Sequence, residues 1–174
     1  IDLSKPLNSF QVNIEVNIRE YLEDDYSYFR NLLMEKPADR DTYLLYNRLN
    51  LIRSGLKTCY VGVTNNEPCY MAWIIRDTDE RKLQEVFPGI FPAIGIDEVL
   101  MEAVYIPRKY RGLRIYPYMT MLLCDIAKKE GRKRAFLFID KNNVATVNGM
   151  AMLGFTPFMI RTDKWFLLKR TVSF

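Results

Sequence analysis

The second half of the chain carries a strand, a basic loop, an amphipathic helix and another strand in direct succession. Residues 99–106 predict the first strand, and residues 135–139 form a continuous apolar run typical of a strand buried on both faces. Between them, apolar positions in 117–129 recur at helical spacing, which predicts a helix that buries one side. Such a crossover implies some parallel pairing, so the chain is limited to folds that combine helices with a sheet.

The remaining segments add strands and helices around this unit. In chain order, the patterns predict a strand at 11–18, helices at 22–33 and 41–54, a hairpin of strands at 58–63 and 69–75, a short helix at 80–86, a helix at 143–153 and strands at 155–160 and 165–168. We find no internal repeat and no low-complexity linker, so the sequence predicts one α/β domain over residues 1–174.

Composition excludes several kinds of site. The chain has 174 residues, is 49% hydrophobic and contains no His, which rules out an imidazole base and a His-ligated metal. Cys59, Cys69 and Cys124 form no C-x-x-C pair, so we expect no metal site, no disulfide framework and a reducing, cytoplasmic compartment. No apolar run approaches the roughly 18 residues of a membrane span. The residues after Ile1 lack the basic and apolar regions of a signal peptide, so none is expected in this stretch.

The net charge of +4 favours anionic partners. A basic cluster follows the helix at 117–129: Lys128, Lys129, Arg132, Lys133 and Arg134. One interpretation is a solvated helix end, and the other is contact with an acidic carrier protein or a nucleotide phosphate. Nucleic-acid binding is not expected, because it usually needs more charge and a longer basic stripe.

The loop between the first strand and the helix is the candidate functional site. It contains Arg108, Lys109, Arg111 and Arg114 just before the helix begins. Backbone N–H groups at a helix start are unpaired and the helix dipole attracts anions, so this order suits phosphate binding. A solvated basic turn is the alternative that the residues alone leave open.

Residues 111–116 have the sequence Arg-Gly-Leu-Arg-Ile-Tyr. Further along the chain, Asn143 is followed after several residues by Gly154-Phe155. In these features residues 98–165 resemble the GCN5-related N-acetyltransferase (GNAT) superfamily. The resemblance implies a mixed, mostly antiparallel twisted sheet with flanking helices. It also implies direct transfer of an acyl group, acetyl by expectation, from acetyl-CoA or another acyl-CoA to an amine. The expected acceptor is a small molecule, and no metal takes part.

The resemblance further assigns site residues. Coenzyme A is expected to contact Val104, Tyr105, Ile106, Arg111, Gly112, Leu113, Arg114, Ile115, Tyr116 and Asn143. Glu102 is the candidate base for the amine proton, and Tyr116 and Tyr118 are candidate acids for the leaving thiolate. Purely structural roles stay open: a salt-bridged Glu102 and packed aromatic side chains at the helix start.

The sequence departs from the family pattern at several positions. Arg114 and Tyr116 stand where the family prefers small residues, Pro117 removes an N–H, and Met150 replaces the family's Tyr. These departures keep alternatives open: a long-chain acyl-CoA or an acyl carrier protein as donor, or a non-catalytic GNAT-like binding module. Apolar side chains in 78–97 are expected to wall an acyl or acceptor pocket, or else to cover the sheet.

Overall fold

A five-stranded sheet runs through the middle of the molecule, whose computed structural model describes residues 1–35, 38–167 and 169–174. Its strands are β1 (Asn17–Glu20), β2 (Cys59–Thr64), β3 (Glu67–Arg76), β4 (Glu98–Tyr105) and β5 (Arg134–Phe136), and a separate hairpin consists of β6 (Thr162–Phe166) and β7 (Lys169–Ser173). The helices are α1 (Glu23–Met34), α2 (Arg40–Arg53), α3 (Glu80–Val86), α4 (Ile115–Lys129) and α5 (Val144–Met152).

The strands of the large sheet lie in the order β1-β2-β3-β4-β5. All neighbours pair antiparallel except β4 and β5, which pair in parallel. Asn65 and Asn66 join β2 to β3 with φ values of 48° and 61°, the backbone of a two-residue hairpin turn whose twist matches that of the strands. The mixed, mostly antiparallel α/β sheet and its hairpin are therefore confirmed.

Apolar side chains pack on both faces of the sheet. On one face α1, α2 and α3 bury Phe29, Leu45 and Leu83 against β3 and β4. On the other face α4 buries Met119 and Leu123. Each such side chain contributes roughly 1.5–3 kcal/mol on burial, so both helical layers are firmly held on the sheet. Burial from both sides explains why β3 is apolar almost without interruption.

Capping residues set the limits of the longer helices. The Asp39 carboxylate accepts a hydrogen bond from the Thr42 N–H at 2.9 Å and starts α2. Gly55 and Gly131, with φ values of 85° and 82°, follow the ends of α2 and α4, as the sequence predicts. In the described part of the chain, none of the helices combines the length and apolar character needed to cross a bilayer.

The first strand is shorter than predicted and lies further along the chain. Only Asn17–Glu20 forms a strand, because this is the stretch that pairs with residues 60–63 of β2. Val12 and Ile14 pack against the core without joining a strand ladder. Alternation therefore predicted burial correctly in this segment, but the strand prediction over 11–18 was wrong for its first part.

The last predicted strands also differ from the structure. Residues 155–160 form no strand, and the closing hairpin begins at Thr162. The strand predicted at 165–168 overlaps the end of β6, but Leu168 lies outside the described residues. β-Propensity alone does not decide whether a short apolar run finds a partner strand.

β4 and β5 pair only over their first three residues. The paired positions are Glu98 with Arg134, Val99 with Ala135, and Leu100 with Phe136. β5 ends at Phe136, whereas β4 continues to Tyr105, so the two strands separate beyond residue 100. This separation opens the sheet beside the loop that leads from β4 into α4.

Candidate functional site

A bulge interrupts β4 where it leaves β5. Glu102 lies opposite Trp73 and Tyr105 opposite Met71, so two residues of β4 face a single residue of β3. Ala103, within this bulge, has a φ value of 62°, which is uncommon for a residue with a side chain. Bulges redirect the strand and leave backbone groups out of the ladder. The bulge therefore lies at the opening of the sheet, where β4 has left β5.

The loop that follows β4 ends in an uncapped helix start. Gly112 and Arg114 have φ values of 78° and 61°, and Arg114 provides no side-chain cap for α4. Among the described residues, no protein acceptor is hydrogen-bonded to the N–H groups of 112–116. Unpaired N–H groups together with the positive end of the helix dipole form an anion-binding cradle.

A groove of about 350 Å³ lies between this loop and α5. The predicted cofactor residues that line it are Ile106, Arg111, Gly112, Arg114, Ile115 and Tyr116. The predicted residues Val104, Tyr105, Leu113 and Asn143 do not line it. Tyr105 is instead buried in the core, with its ring 6.2 Å from that of Phe29.

The opposite wall of the groove was missed by the sequence analysis. It consists mainly of α5 residues: Ala145, Thr146, Asn148, Gly149 and Met152. Their spacing follows one face of a helix, a periodicity that was visible in the sequence. Gly149 lies close to Pro117 of α4, since an added Cβ would be 3.9 Å from the proline ring. Small residues therefore let α5 approach the cradle.

Asn143 and Met150 have structural positions. The Asn143 side chain accepts a hydrogen bond from the Thr146 N–H at 3.3 Å and caps α5. Met150 is buried, so the position of the family's tyrosine does not face the groove. The geometry accordingly supports the cap for Asn143, because its carbonyl oxygen is used at the helix start.

Most cations of the loop are paired with carboxylates. The pairs are Arg108 with Asp39, Arg111 with Asp41, and Lys109 with Glu67. Arg111 also donates from Nε to the Ile106 carbonyl oxygen at 2.9 Å. Arg114 is exposed and forms no ion pair with a described residue. The positive charge available to a ligand at the cradle therefore comes from Arg114 and the N–H groups.

Glu102 is half-buried near the bulge, on the face of β4 that packs against α2. Burial raises its pKa above the usual value, and the Ala103 N–H and the charges of Arg48 and Arg161 offset part of that effect. The position of Glu102 at the open end of β4 agrees with the predicted one. A carboxyl group with a raised pKa is a stronger base when it is ionised.

The two candidate tyrosines lie in different surroundings. Tyr116 lines the groove, and its pKa is raised by burial and, to a smaller extent, by the charge of Glu102. Its hydroxyl therefore stays protonated and is close enough to Glu102 to sense its charge. Tyr118 does not line the groove and packs against the α4 side of the core. The structure thus brings Glu102 and Tyr116 into one region.

The segment at 78–97 covers the same face of the sheet as α2. Leu83, Phe91 and Ile94 are buried in the core cluster on this face. The Phe91 ring lies 5.5 Å from Phe87 and 5.7 Å from Phe138, which follows β5. This packing supports the covering role for the segment and also places it beside the opening.

Three of the five cations in the basic cluster at the end of α4 pair with acidic residues. The ion pairs are Arg132 with Asp77 at 2.6 Å, Lys133 with Asp97 at 2.8 Å, and Arg134 with Glu98 at 3.1 Å. Lys128 donates to the Lys5 carbonyl oxygen at 3.0 Å. These contacts favour a structural role over contact with an acidic partner.

The buried cysteines act as small apolar side chains. Cys59, Cys69 and Cys124 are free and buried. Burial raises the pKa of the Cys124 thiol to about 12, so the reactive thiolate is not formed at neutral pH.

Comparisons of the fold found many similar structures. Ribosomal-protein-S18-alanine N-acetyltransferase from Escherichia coli superposes with a TM-score of 0.56 and 14% identity, over 84% of this chain and 81% of its own. A GNAT-family acetyltransferase from Streptococcus pneumoniae gives a TM-score of 0.54 and 15% identity, over 91% and 96%. Glucosamine-6-phosphate N-acetyltransferase from Arabidopsis thaliana gives 0.52 and 16%, over 87% and 99%.

Neither a family model nor a curated protein matches the chain. The similarity therefore lies in the three-dimensional arrangement of the strands and helices rather than in the sequence. The chain has the fold of the GNAT acetyltransferases.

Proposed function

We propose that residues 1–174 form one N-acyltransferase domain that moves an acyl group, acetyl in the first instance, from a coenzyme A thioester to an amine. The observation that carries this proposal is the cradle of unpaired N–H groups at 112–116, which opens into the groove beside the separated strands. The GNAT fold is the second support. The free buried cysteines agree with work in a reducing, cytoplasmic environment.

The donor binds through its phosphates. The N–H groups of 112–116 donate to the pyrophosphate oxygens, and the exposed Arg114 adds one positive charge. Arg111 holds the loop in place, because it forms an ion pair with Asp41 and donates a hydrogen bond to the Ile106 carbonyl oxygen. The pantetheine arm extends along the groove towards the bulge in β4.

The transfer step uses groups at the opening of the sheet. The acceptor must be neutral to attack, and Glu102 takes the proton that the amine loses. The thioester oxygen gains negative charge, and the donor proposed for it is the Val104 N–H of the bulge, because the Ala103 N–H already donates to Glu102. Tyr116 gives its proton to the leaving thiolate, because its hydroxyl is protonated and lines the groove. Tyr118 is the second candidate acid.

A non-catalytic GNAT-like binding module is the second candidate function. The observation in its favour is Met150, which is buried and cannot donate a proton. A donor carried by an acyl carrier protein is less favoured, because the cations after α4 are already paired. A longer acyl-CoA uses the same cradle and is an alternative donor within the main proposal.

Calorimetry with coenzyme A tests the donor site. Arg114→Glu should weaken binding by roughly 1–3 kcal/mol, the range for a lost charge-assisted hydrogen bond. Arg53→Glu is the matched control, since Arg53 is an exposed arginine on α2 that does not line the groove. Equal affinity in the two variants would contradict the cradle.

Release of free thiol from acetyl-CoA distinguishes an enzyme from a binding module. Glu102→Gln should lower the rate of transfer and leave the affinity for coenzyme A unchanged, because Glu102 does not line the donor groove. Binding of coenzyme A without any turnover over a broad panel of amines would favour the binding module.

A further inference from the structure

Arg48 of α2 is a partly buried cation that forms no hydrogen bond or ion pair with a carboxylate of the described residues. Its Nε is fully buried and, within the described part of the chain, has no hydrogen-bond partner. No described carboxylate forms an ion pair with its guanidinium group. A buried charge is costly unless a paired group compensates it, so a guanidinium group left in this state marks a place for an outside anion.

Arg48 faces the candidate base. α2 packs on the face of β4 that carries Glu102. Burial lowers the pKa of Arg48, and the charge of Glu102 offsets part of that effect. The two groups are nevertheless not hydrogen-bonded to each other. A ligand that reaches Glu102 with an amine can therefore reach Arg48 with a second group.

Arg161 is the other cation that acts on Glu102, and its guanidinium group is already engaged. It donates to the Asp163 carboxylate at 3.3 Å, and its guanidinium carbon lies 5.9 Å from the centre of the Phe91 ring and 5.5 Å from that of Phe138. Arg161 therefore packs against the Phe91 and Phe138 rings and is paired with the Asp163 carboxylate. The uncompensated donor beside Glu102 is Arg48.

We propose that Arg48 binds a carboxylate of the acceptor, so that the acceptor is an amino carboxylate such as a free α-amino acid. The inference rests on the proposed acyl transfer and names its substrate class. The guanidinium edge formed by the two terminal nitrogens matches the two oxygens of a planar carboxylate with parallel hydrogen bonds. Binding would supply the missing anion and leave the amine beside Glu102.

The reaction balances with the groups already named. The amine nitrogen attacks the thioester carbonyl carbon, the N–C bond forms and the C–S bond breaks. The proton of the amine passes to Glu102, and the thiolate of coenzyme A takes a proton from Tyr116 and leaves as the thiol. Bulk water then returns both side chains to their starting protonation states.

The test compares the twenty free amino acids with their carboxamides as acceptors for the full chain and acetyl-CoA. At least one amino acid should be acetylated with a kcat/KM tenfold or more above that of its amide. Arg48→Gln should raise KM for that amino acid at least tenfold and leave KM for the amide unchanged. Arg48→Lys keeps the positive charge but loses the paired N–H donors of the guanidinium group. Its KM for the amino acid should therefore lie between those of the wild type and Arg48→Gln.

Two further readouts separate ligand binding from a structural role. Arg53→Gln on the same helix is the matched control and should change neither acceptor. The melting temperature of Arg48→Gln should stay close to that of the wild type, because Arg48 forms no hydrogen bond or ion pair with a described residue that the variant would lose. A structural arginine would instead lower the melting temperature and reduce transfer to both acceptor classes equally.

The outcomes distinguish this inference from the proposed function. If coenzyme A binds and turns over but amides, or amines bearing a phosphate, are acetylated as well as or better than carboxylates, the inference is overturned and the acyltransferase stands. If coenzyme A neither binds in calorimetry nor turns over, both fail. A carboxylate preference that survives Arg48→Gln also overturns the role of Arg48.

Discussion

Arg111 and Arg114 lie in the same loop but have different surroundings, a difference that the sequence alone does not show. Arg111 reaches back to Asp41 and to the Ile106 carbonyl oxygen, whereas Arg114 stands exposed at the start of α4. The difference depends on where Asp41 lies, and Asp41 is 70 positions away along the chain. A local cluster of basic residues therefore predicts a candidate anion site, but it does not predict which of its cations are paired with distant carboxylates.

Arg111→Glu should mainly destabilise the fold. The new carboxylate would face Asp41, which is only 6% exposed, and would lose the ion pair there. Because Arg111 itself is 46% exposed, solvent screening limits the loss to roughly 1–3 kcal/mol of unfolding free energy. Urea unfolding measures it, with Arg114→Glu as the control expected to stay within about 0.5 kcal/mol. Equal stability of the two variants would remove the structural role.

Variants at Asn143 and Asn148 can distinguish helix capping from donor binding at α5. Asn143→Ala removes the cap of α5 and should cost about 1 kcal/mol of stability, with the KM for the acyl donor unchanged. Asn148→Ala alters the groove wall and should raise that KM with little change in stability. Melting curves and donor kinetics on both variants decide the matter. A raised donor KM in Asn143→Ala alone would restore its predicted contact with coenzyme A.

At the scale of elements, periodicity predicted most of the fold. The helices at α2 and α4 and the β2–β3 hairpin follow from local spacing and from residues such as Gly55 and Gly131. The bulge at Ala103 and the short pairing of β4 with β5 depend on register between distant strands, which a single sequence does not carry. The same limit applies to α5, whose amphipathic face was visible but whose partner across the groove was not.

The segment between α3 and β4 has two possible roles that a variant can distinguish: packing in the core and forming the wall of an acyl pocket. Phe91 is 7% exposed and contacts the rings of Phe87 and Phe138, so Phe91→Ala should cost roughly 3–5 kcal/mol. The relative rates with acetyl, butyryl and longer donors should not change. Phe158→Ala, at a ring that is 53% exposed, is the control and should cost much less. A small stability loss with a changed donor preference would identify an acyl-pocket wall instead.

At the scale of the whole molecule, Glu67 connects three parts of the chain. Its carboxylate at the start of β3 accepts hydrogen bonds from Tyr28 of α1 at 2.8 Å and from Tyr110 at 2.7 Å, and it pairs with Lys109. The partners are 39 to 43 positions away, so no local pattern predicts the cluster. One carboxylate thus joins the turn just before the cradle to the start of β3, the central strand, and to α1.

This anchor makes acid stability depend on Glu67. The hydrogen bond from Lys109, followed by that from Tyr110, lowers the pKa of Glu67 from 4.5 to about 2. A lowered folded-state pKa stabilises the protein above the unfolded value, and that contribution is lost as the pH falls from about 4.5 towards 2. Asp39, whose pKa is lowered to about 2 chiefly by the Thr42 N–H, adds to the loss in the same direction, whereas the raised pKa of Glu102 opposes it.

Glu67→Gln should therefore be less stable than the wild type at pH 7 by roughly 1–2 kcal/mol, a figure reduced for screening because the side chain is 36% exposed. At pH 2 the difference should be much smaller, since about half of the wild-type Glu67 carboxylate is then protonated in the folded protein. Urea unfolding at both pH values measures the two differences. Asp39→Asn is the matched control: it should also narrow the gap with falling pH, but it should leave the position of the loop around Tyr110 intact. A constant difference between Glu67→Gln and the wild type from pH 7 to pH 2 would show that the ionised carboxylate does not anchor the cradle.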